Sequence, residues 1–237
     1  MPKRGLLKNS ILSSLTPEEF ALISAQLTQV ELEKGRLLYD PGDRMDTAYF
    51  PLNCVLSLMT LMESGAAIES ATVGREGGVG LLSAISPRHS VCHCIVQVPG
   101  KAARISTSAL GDAVSRSPGL RAAIERHNDA LMGHAMQSVA CNALHSVEAR
   151  FCRWLLSCHD RIDADTVSLT QEFLADMLGV QRTTVTAVAG ALQAKGLIQY
   201  RRGVVDILDR AGIEAMTCEC YGAVRRTYQT LLPSAFT

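Results

Sequence analysis

The stretch LADMLGVQRTTVTAVAGAL, residues 174–192, decides how this chain is interpreted. Both of its ends have the composition of helices, yet Gly179 lies near one third of its length. Three β-branched hydroxyl residues follow closely, namely Thr183, Thr184 and Thr186. Glycine and β-branched residues both lower helix propensity, so one uninterrupted helix would be disfavoured here. The stretch therefore predicts two helices separated by a turn.

The spacing of a helix-turn-helix unit explains this pattern. If Gln171 is position 1, small or apolar residues fall where two crossing helices share a core. These residues are Leu174, Ala175, Leu178, Gly179, Val180, Val185 and Val188, at positions 4, 5, 8, 9, 10, 15 and 18. Gly179 would adopt a positive φ in the turn at little cost, and Thr170 would cap the first helix.

The second helix would begin near Gln181 and expose the polar side chains of its first turns. Recognition helices place their N-terminal residues against base edges in the major groove of DNA. Arginine can bind guanine there, and a threonine methyl can contact a thymine methyl. We therefore predict a DNA-binding set of Thr170, Gln181, Arg182, Thr183, Thr184, Thr186, Arg201 and Arg202.

A wing is predicted next, because LIQYRRGVVDILD (residues 197–209) reads as two short strands around Arg201-Arg202-Gly203. From Gln181 to Gly203 the charged residues are all basic: Arg182, Lys195, Arg201 and Arg202. The chain has 23 basic and 23 acidic residues in total. A neutral chain thus contains a local basic segment suited to phosphates.

The region before this unit contains two further sequence patterns. The chain has 237 residues, 47% apolar and 19% charged, which suits a packed core of one large domain or two small ones. Between Val30 and Ser106, short apolar runs alternate with turn signals such as Pro41-Gly42 and Pro99-Gly100. This alternation predicts a small antiparallel barrel or jelly roll.

A long helix is predicted from Ser117-Pro118 to about His145, because serine caps helices and proline suits their first position. About 28 residues at 1.5 Å each would span about 40 Å, which is long for a domain of this size. We interpret it as a spine between domains or a dimer seam. Its predicted apolar stripe consists of Met132, Met136, Val139, Ala140, Ala143 and Val147.

The chain resembles the CRP/FNR family of bacterial transcription regulators over nearly its whole length. LTQEFLADMLGVQRTTVTAVAGALQAKGLI (residues 169–198) is similar to the family's DNA-binding signature, and the order roll, long helix, helix-turn-helix is a second match. The resemblance implies an α+β fold with an N-terminal antiparallel β-roll or jelly roll, a long dimerisation helix and a C-terminal winged helix-turn-helix. The implied domains are a cyclic-nucleotide-binding-like effector domain (1–115), the dimerisation helix (116–145) and the DNA-binding domain (146–237).

The chain departs from the family pattern both in its predicted DNA-binding residues and in its predicted effector pocket. Where members often carry an Arg-Glu pair and a second Arg one turn later, this chain has Arg182, Thr183 and Ala187, so a different operator is expected. The family's cyclic-AMP binders use a Glu for the ribose and an Arg-Ser or Arg-Thr pair for the phosphate. Gly80 and Ser90-Val91 hold the matching positions, with Arg88 and His89 close by. An effector pocket at Gly80, Arg88, His89 and Ser90 is therefore implied, for an effector other than cyclic AMP.

No metal or cofactor is expected from the cysteines. No cysteine precedes Cys54, unlike the iron–sulfur members of the family. Cys92 and Cys94 would share one face of a strand and act as small buried apolar residues. Cys218 and Cys220, on a helix, would point about 200° apart and could not easily bind one ion.

Two further groups of residues contain histidine, cysteine or charged side chains. His127, His134 and Cys141 recur every seven residues, so they either meet their copies across a dimer axis or contact solvent or the roll. Arg75-Glu76, in VGREGGVG, is expected in a turn with solvated charges. That glycine-rich stretch is not a P-loop, because no helix starting with Lys-Ser/Thr follows it.

The predicted function is a homodimeric, sequence-specific regulator, not an enzyme, that reads a palindrome with recognition helices about 34 Å apart. Its partners would be double-stranded DNA, a second copy through residues 118–145, and RNA polymerase. A cytoplasmic location without membrane contact is expected, since no apolar run approaches about 20 residues. Two alternatives remain open: a barrel-type metal-dependent enzyme, although His89 and His93 lack the usual ligand spacing, and a regulator without an effector. The operator, the direction of regulation, and any redox or metal sensing by Cys92/Cys94 or His127/His134 also remain open.

Overall fold

The computed structural model describes residues 4–236 and has an N-terminal β-roll, a long helix and a C-terminal helical region with a small sheet. The first helices and the strands of the roll are α1 (Ser10–Ser13), α2 (Pro17–Ser24), β1 (Thr28–Leu32), β2 (Leu37–Tyr39), β3 (Thr47–Pro51), β4 (Val55–Leu61), β5 (Ala67–Val73), β6 (His93–Val98) and β7 (Gly100–Ser106). The elements that follow are α3 (Thr107–Val114), α4 (Pro118–Leu144), α5 (Val147–His159), β8 (Thr166–Ser168), α6 (Gln171–Leu178), α7 (Arg182–Ala194), β9 (Ile198–Arg201), β10 (Val204–Ile207), α8 (Arg210–Met216) and α9 (Cys220–Leu231).

The roll consists of two antiparallel sheets, with strand orders β1-β7-β3 and β2-β6-β4-β5. Apolar side chains of both sheets, including Leu32, Leu56 and Val96, form a core cluster in its interior. A second cluster joins Phe50 of β3 to Ile124 of α4 and to the first helices. The predicted α+β fold with an antiparallel roll, a long helix and a C-terminal helix-turn-helix is confirmed.

Helix α4 has one face inside the protein and one face in solvent. It starts as predicted, with Ser117 Oγ accepting from the backbone N–H of Leu120. Its buried residues are Leu120, Ala123, Ile124, His127, Ala130, His134, Ser138 and Cys141. On the opposite face Met132, Met136 and Val139 are 55%, 66% and 72% exposed. Within residues 4–236, neither α4 nor another helix is both long and apolar enough to cross a bilayer.

His127 and His134 contact the chain's own fold, so they are not available to meet their copies across a dimer axis. His127 Nε2 lies 2.9 Å from the carbonyl oxygen of Gly78 in the roll. The His134 ring packs edge-on against Tyr228 of α9, with ring centroids 6.2 Å apart. Burial lowers the pKa of both imidazoles, which therefore stay uncharged near neutral pH. They act as packing residues between α4 and its neighbours.

Glu76 forms a buried ion pair, contrary to the expectation that its charge is solvated. The side chains of Arg161 and Glu76 are 2% and 0% exposed, and Arg161 Nη2 lies 2.8 Å from Glu76 Oε1. The backbone N–H of Gly74 also donates to Glu76 Oε1, at 3.0 Å. A Cβ on Gly74 would lie 2.4 Å from Arg161 Cδ, so this loop needs glycine to approach the arginine. The expectation was wrong because the partner lies 85 residues further along the chain.

The C-terminal region packs directly against the roll. Val55, Met59 and Val98 of the roll belong to the same core cluster as Trp154 of α5 and Met177 of α6. Polar contacts also cross the interface: Ser57 Oγ lies 3.3 Å from Met177 Sδ, and Lys34 Nζ donates to the carbonyl oxygen of Ser168 at 2.9 Å. The two regions therefore share one continuous apolar core.

Replacing Glu76 with Gln should destabilise the protein by about 3–5 kcal/mol, because it leaves the charge of Arg161 buried without a counter-charge. The free energy of unfolding from urea denaturation measures this loss. Asp46→Asn is the matched control: the Arg44–Asp46 pair has side chains 72% and 65% exposed, and its loss should cost less than about 1 kcal/mol. Equal losses in the two variants would contradict the role given to the buried pair.

Candidate nucleic-acid interface

The helix cap and the turn predicted around α6 are both present. Thr170 Oγ1 accepts a hydrogen bond from the backbone N–H of Phe173 at 3.2 Å. Gly179 follows α6 with φ 61° and ψ 43°, in the left-handed region that glycine adopts without strain. A Cβ there would also lie 3.1 Å from Ile68 Cδ1 of the roll. The glycine thus ends α6 and permits a close approach to β5.

Helix α7 presents its first turns to solvent. Gln181 occupies the N-cap position with extended backbone, so the helix begins where the sequence predicts. Its buried residues are Val185, Ala189 and Leu192, which join the shared core. The side chains of Gln181, Arg182, Thr183 and Thr186 are exposed, and Thr184 is half-buried. The face expected to contact bases therefore points away from the core.

The wing is a tight hairpin that ends in two arginines. Strands β9 and β10 pair antiparallel, with Arg201 opposite Val204. The two loop residues, Arg202 and Gly203, have φ values of 49° and 77°. Positive φ at both positions is characteristic of the type I′ turn, whose twist suits a β-hairpin. Arg201 and Arg202 are both exposed, so the wing turn presents basic charge to solvent.

Three of the predicted residues, Thr170, Arg182 and Arg202, line one surface depression between α6, α7 and the wing. The others lie around it on α7 and the wing, all at exposed positions except the half-buried Thr184. Thr186 is connected to the depression because its Oγ1 donates to Gln171 Oε1 at 3.0 Å. The structure therefore brings the start of α6, the start of α7 and the wing turn onto one surface.

Glu172 is a member of this surface that the sequence analysis missed. Its Oε1 lies 2.7 Å from Arg182 Nη1, and Gln171 accepts from Arg182 Nε at 3.4 Å. The two charged side chains are 63% and 61% exposed, so the pair is weak and DNA can displace it. Its position in the first turn of α6, two residues after the Thr170 cap, could have indicated from the sequence that it lies on this surface. Glu172 lies before the stretch from Gln181 to Gly203, in which all charged residues are basic.

A cavity of about 490 Å³ lies between the roll and α4 and is lined by all four residues predicted for the effector pocket. Gly80 has φ 76°, and a Cβ there would lie 2.6 Å from the carbonyl oxygen of Thr47. This backbone leaves no room for the acidic side chain that cyclic-AMP binders use. Ser90 Oγ donates to the carbonyl oxygen of Cys92 at 2.7 Å, which occupies its hydroxyl within the loop. Arg88 and His89 remain exposed at the rim.

Cys92 and Cys94 both line this cavity, as their shared strand face predicts. His93 lies on the other side and pairs with Asp40. Burial raises the pKa of both thiols. Among the described residues, neither thiol belongs to a group of three or more metal-ligating side chains, so these cysteines act as lining residues of the cavity.

An exposed reading helix, a basic hairpin beside it and a capped supporting helix define a winged helix-turn-helix protein. Comparison with known proteins gives the same class. Residues 149–216 match the Crp-like helix-turn-helix domain. The global nitrogen regulator of Nostoc sp. is 22% identical over 185 residues, covering 74% of this chain and 82% of that protein.

Solved structures have the same fold over most of their length. FixK2 from Bradyrhizobium japonicum superposes with a TM-score of 0.68 at 16% identity, covering 81% of this chain and 98% of that one. A CRP/FNR transcriptional regulator from Eubacterium rectale gives 0.66 at 16% identity, covering 88% and 98%. The chain is a DNA-binding transcription regulator with the fold and the DNA-binding domain of the CRP/FNR family. The matched proteins are regulators and not enzymes.

Replacing Gly179 with Ala should destabilise the protein by about 1–2 kcal/mol, because an L-residue is strained in the left-handed region. Gly190 is the matched control: it lies within α7, and a Cβ there would meet nothing within 4 Å. Gly190→Ala should therefore stabilise by about 0.5–1 kcal/mol. Thermal unfolding of the two variants measures both changes, and shifts of the same sign would refute the assigned turn geometry.

Proposed function

We propose that the protein is a cytoplasmic homodimeric regulator that reads a palindromic DNA site with the residues from Gln181 to Thr186. The observation that carries this proposal is the exposure of Gln181, Arg182, Thr183 and Thr186 beside the two wing arginines. Arg182 would bind a guanine edge, and the threonines would contact neighbouring bases. Arg201, Arg202 and Thr170 would bind phosphates, which fix the register of the protein on the duplex. RNA polymerase is a further proposed partner.

The second copy would bind along the exposed face of α4. Met132, Met136, Val139 and Ala143 follow one another at steps of four, three and four residues, the repeat of a coiled-coil seam. Burying these exposed apolar side chains against a second copy would stabilise the dimer by about 25 cal/mol for each Å² of apolar surface removed from water. A two-fold axis along this seam would pair the same residues of both copies. It would also place the two reading helices in successive major grooves, about 34 Å apart.

In this proposal the domains keep the limits predicted from the sequence: residues 1–115 bind the effector, 116–145 dimerise and 146–237 bind DNA. The cavity beside α4 is the proposed effector site. Its lining is mostly apolar, with the basic side chain of Arg88 at the rim. A largely apolar ligand with an anionic group fits this chemistry better than a cyclic nucleotide. Binding-site selection from random DNA, repeated with cell metabolites present, tests this effector against a regulator that needs none.

Arg182→Ala should weaken binding to the selected site by about 1–3 kcal/mol, roughly 5- to 150-fold, and relax the preference at one base pair. Arg202→Ala should instead weaken binding to all sequences and reduce the slope of log affinity against log salt by about 1. Quantitative gel shifts at several salt concentrations measure both effects. Arg36→Ala, at an exposed position of the roll, is the control and should change neither. Sequence-blind binding by the unmodified protein would refute the proposal.

Met136→Glu should convert the dimer into monomers, because two carboxylates would face each other across the seam. Sedimentation velocity at micromolar protein measures the change, and affinity for the palindrome should fall with it. Leu61→Glu is the matched control, since Leu61 is also a large exposed apolar residue, 51% exposed, but lies on the roll. A monomeric unmodified protein, or a dimer that survives Met136→Glu, would count against this seam.

A further inference from the structure

Three cysteines and one histidine converge where α4 ends. Cys141 lies in the last turn of α4, His145 follows its end, and Cys218 and Cys220 come from the junction between α8 and α9. The ligand atoms of the four side chains all lie within 4.8 Å of one another. The expectation that the thiols of Cys218 and Cys220 point apart is wrong, because Cys218 lies in the turn before α9 and not within a helix.

Two of the distances between these atoms are close to those in a tetrahedral metal site. Cys141 Sγ lies 3.5 Å from Cys218 Sγ, and Cys220 Sγ lies 3.6 Å from His145 Nδ1. Around a tetrahedral zinc ion, bond lengths of about 2.3 Å to sulfur and 2.0–2.1 Å to nitrogen separate two sulfurs by about 3.8 Å. They separate a sulfur from a nitrogen by about 3.6 Å. These two distances therefore differ from the tetrahedral values by no more than a few tenths of an ångström. The remaining pairs of ligand atoms lie within 4.8 Å of one another, so they need to close by about 1 Å at most to surround such an ion.

The neighbours of the cluster orient its ligands. His145 Nε2 lies 3.2 Å from the Glu219 carboxylate, which leaves Nδ1 facing the thiols. A carboxylate on the second ring nitrogen is the usual partner of a metal-bound histidine, because it fixes the tautomer and the ring. Gln137 Nε2 donates to Cys220 Sγ at 3.0 Å. This contact fixes the position of the sulfur beside His145.

We propose that Cys141, His145, Cys218 and Cys220 bind one Zn²⁺ ion in a closed structural site. Four protein ligands complete the tetrahedron, so no position is left open for a substrate. Binding would form three Zn–S bonds and one Zn–N bond and release the thiol protons to solvent. The cysteines are 0%, 6% and 1% exposed, so a bound ion would be protected from water. The ion would tie the segment before α9 to the end of α4, at the joint where α4 passes into α5.

Metal analysis of the full chain, purified under reducing conditions with zinc present, tests this site. One zinc per chain is expected, and Cys141→Ala and Cys220→Ala should lose it. Cys152→Ala is the matched control, because Cys152 is also fully buried, on the adjacent α5, but is outside the cluster. In the cobalt-substituted protein, thiolate-to-cobalt charge-transfer bands and tetrahedral d–d bands should appear, and both cluster variants should lack them.

Glu219→Gln keeps the test independent of any folding defect, because Glu219 is exposed and is not itself a ligand. Loss of this carboxylate should weaken zinc affinity by about 10–100-fold, measured by competition with a chromophoric chelator. Protein that contains no zinc would overturn the proposal. So would zinc retained by a Cys141→Ala/Cys218→Ala double variant, or a Cys141–Cys218 disulfide in place of the metal.

Discussion

The ion pair between Arg161 and Glu76 is the constraint on which the relative position of the roll and the C-terminal region depends. Both charges are out of contact with water, so each is tolerable only while the other stays in place. The guanidinium also lies over the Phe236 ring, 5.5 Å from its centroid. Arg161 follows α5 and Glu76 lies in the loop after β5. The pair therefore fixes where the DNA-binding region starts, and the shared apolar core then holds the rest of it against the roll.

Helix α4 connects the remaining functional surfaces because its faces have different partners. His127 and Leu131 line the cavity. Met132, the residue after Leu131, lies on the exposed face of the helix. A ligand in the cavity would thus press on the helix that presents the proposed dimer seam. We propose that a signal acts as a population shift, in which α4 changes its angle to α5 at the His145–Ser146 joint. Such a shift requires a ligand that binds one arrangement more tightly than the other.

Local physical rules were enough to predict much of the DNA-binding surface. The Thr170 cap, the positive φ of Gly179 and the wing turn at Arg202-Gly203 each depend on a few neighbouring residues. The antiparallel roll also followed from the regular turn signals. These features could be predicted because short-range steric and capping preferences determine them.

The errors concern contacts between residues distant in sequence. Glu76 was expected in solvent, although its partner is 85 positions away. For His127 the sequence left open a contact with its copy, with solvent or with the roll, and the structure shows the roll contact, through Gly78, 49 positions away. Cys218 was placed on a helix, which hid its approach to Cys141, 77 positions away. One sequence without coordinates contains no signal for such pairs, because each side chain alone is compatible with several environments.

The distant contacts share one structural consequence: they hold the two ends of the DNA-binding region separately. Arg161 ties the end of α5 to the roll. The ion proposed for the cluster around Cys218 would tie the segment before α9 to the end of α4. Two separated attachments suppress rotation about either one, so α6, α7 and the wing are presented at a defined angle to α4. A dimer that reads two half-sites needs a defined angle between α4 and the helix-turn-helix. A change of that angle in each copy would displace the reading helices from successive grooves. A signal that changes the angle must therefore act at the joint between the two attachments, where α4 passes into α5.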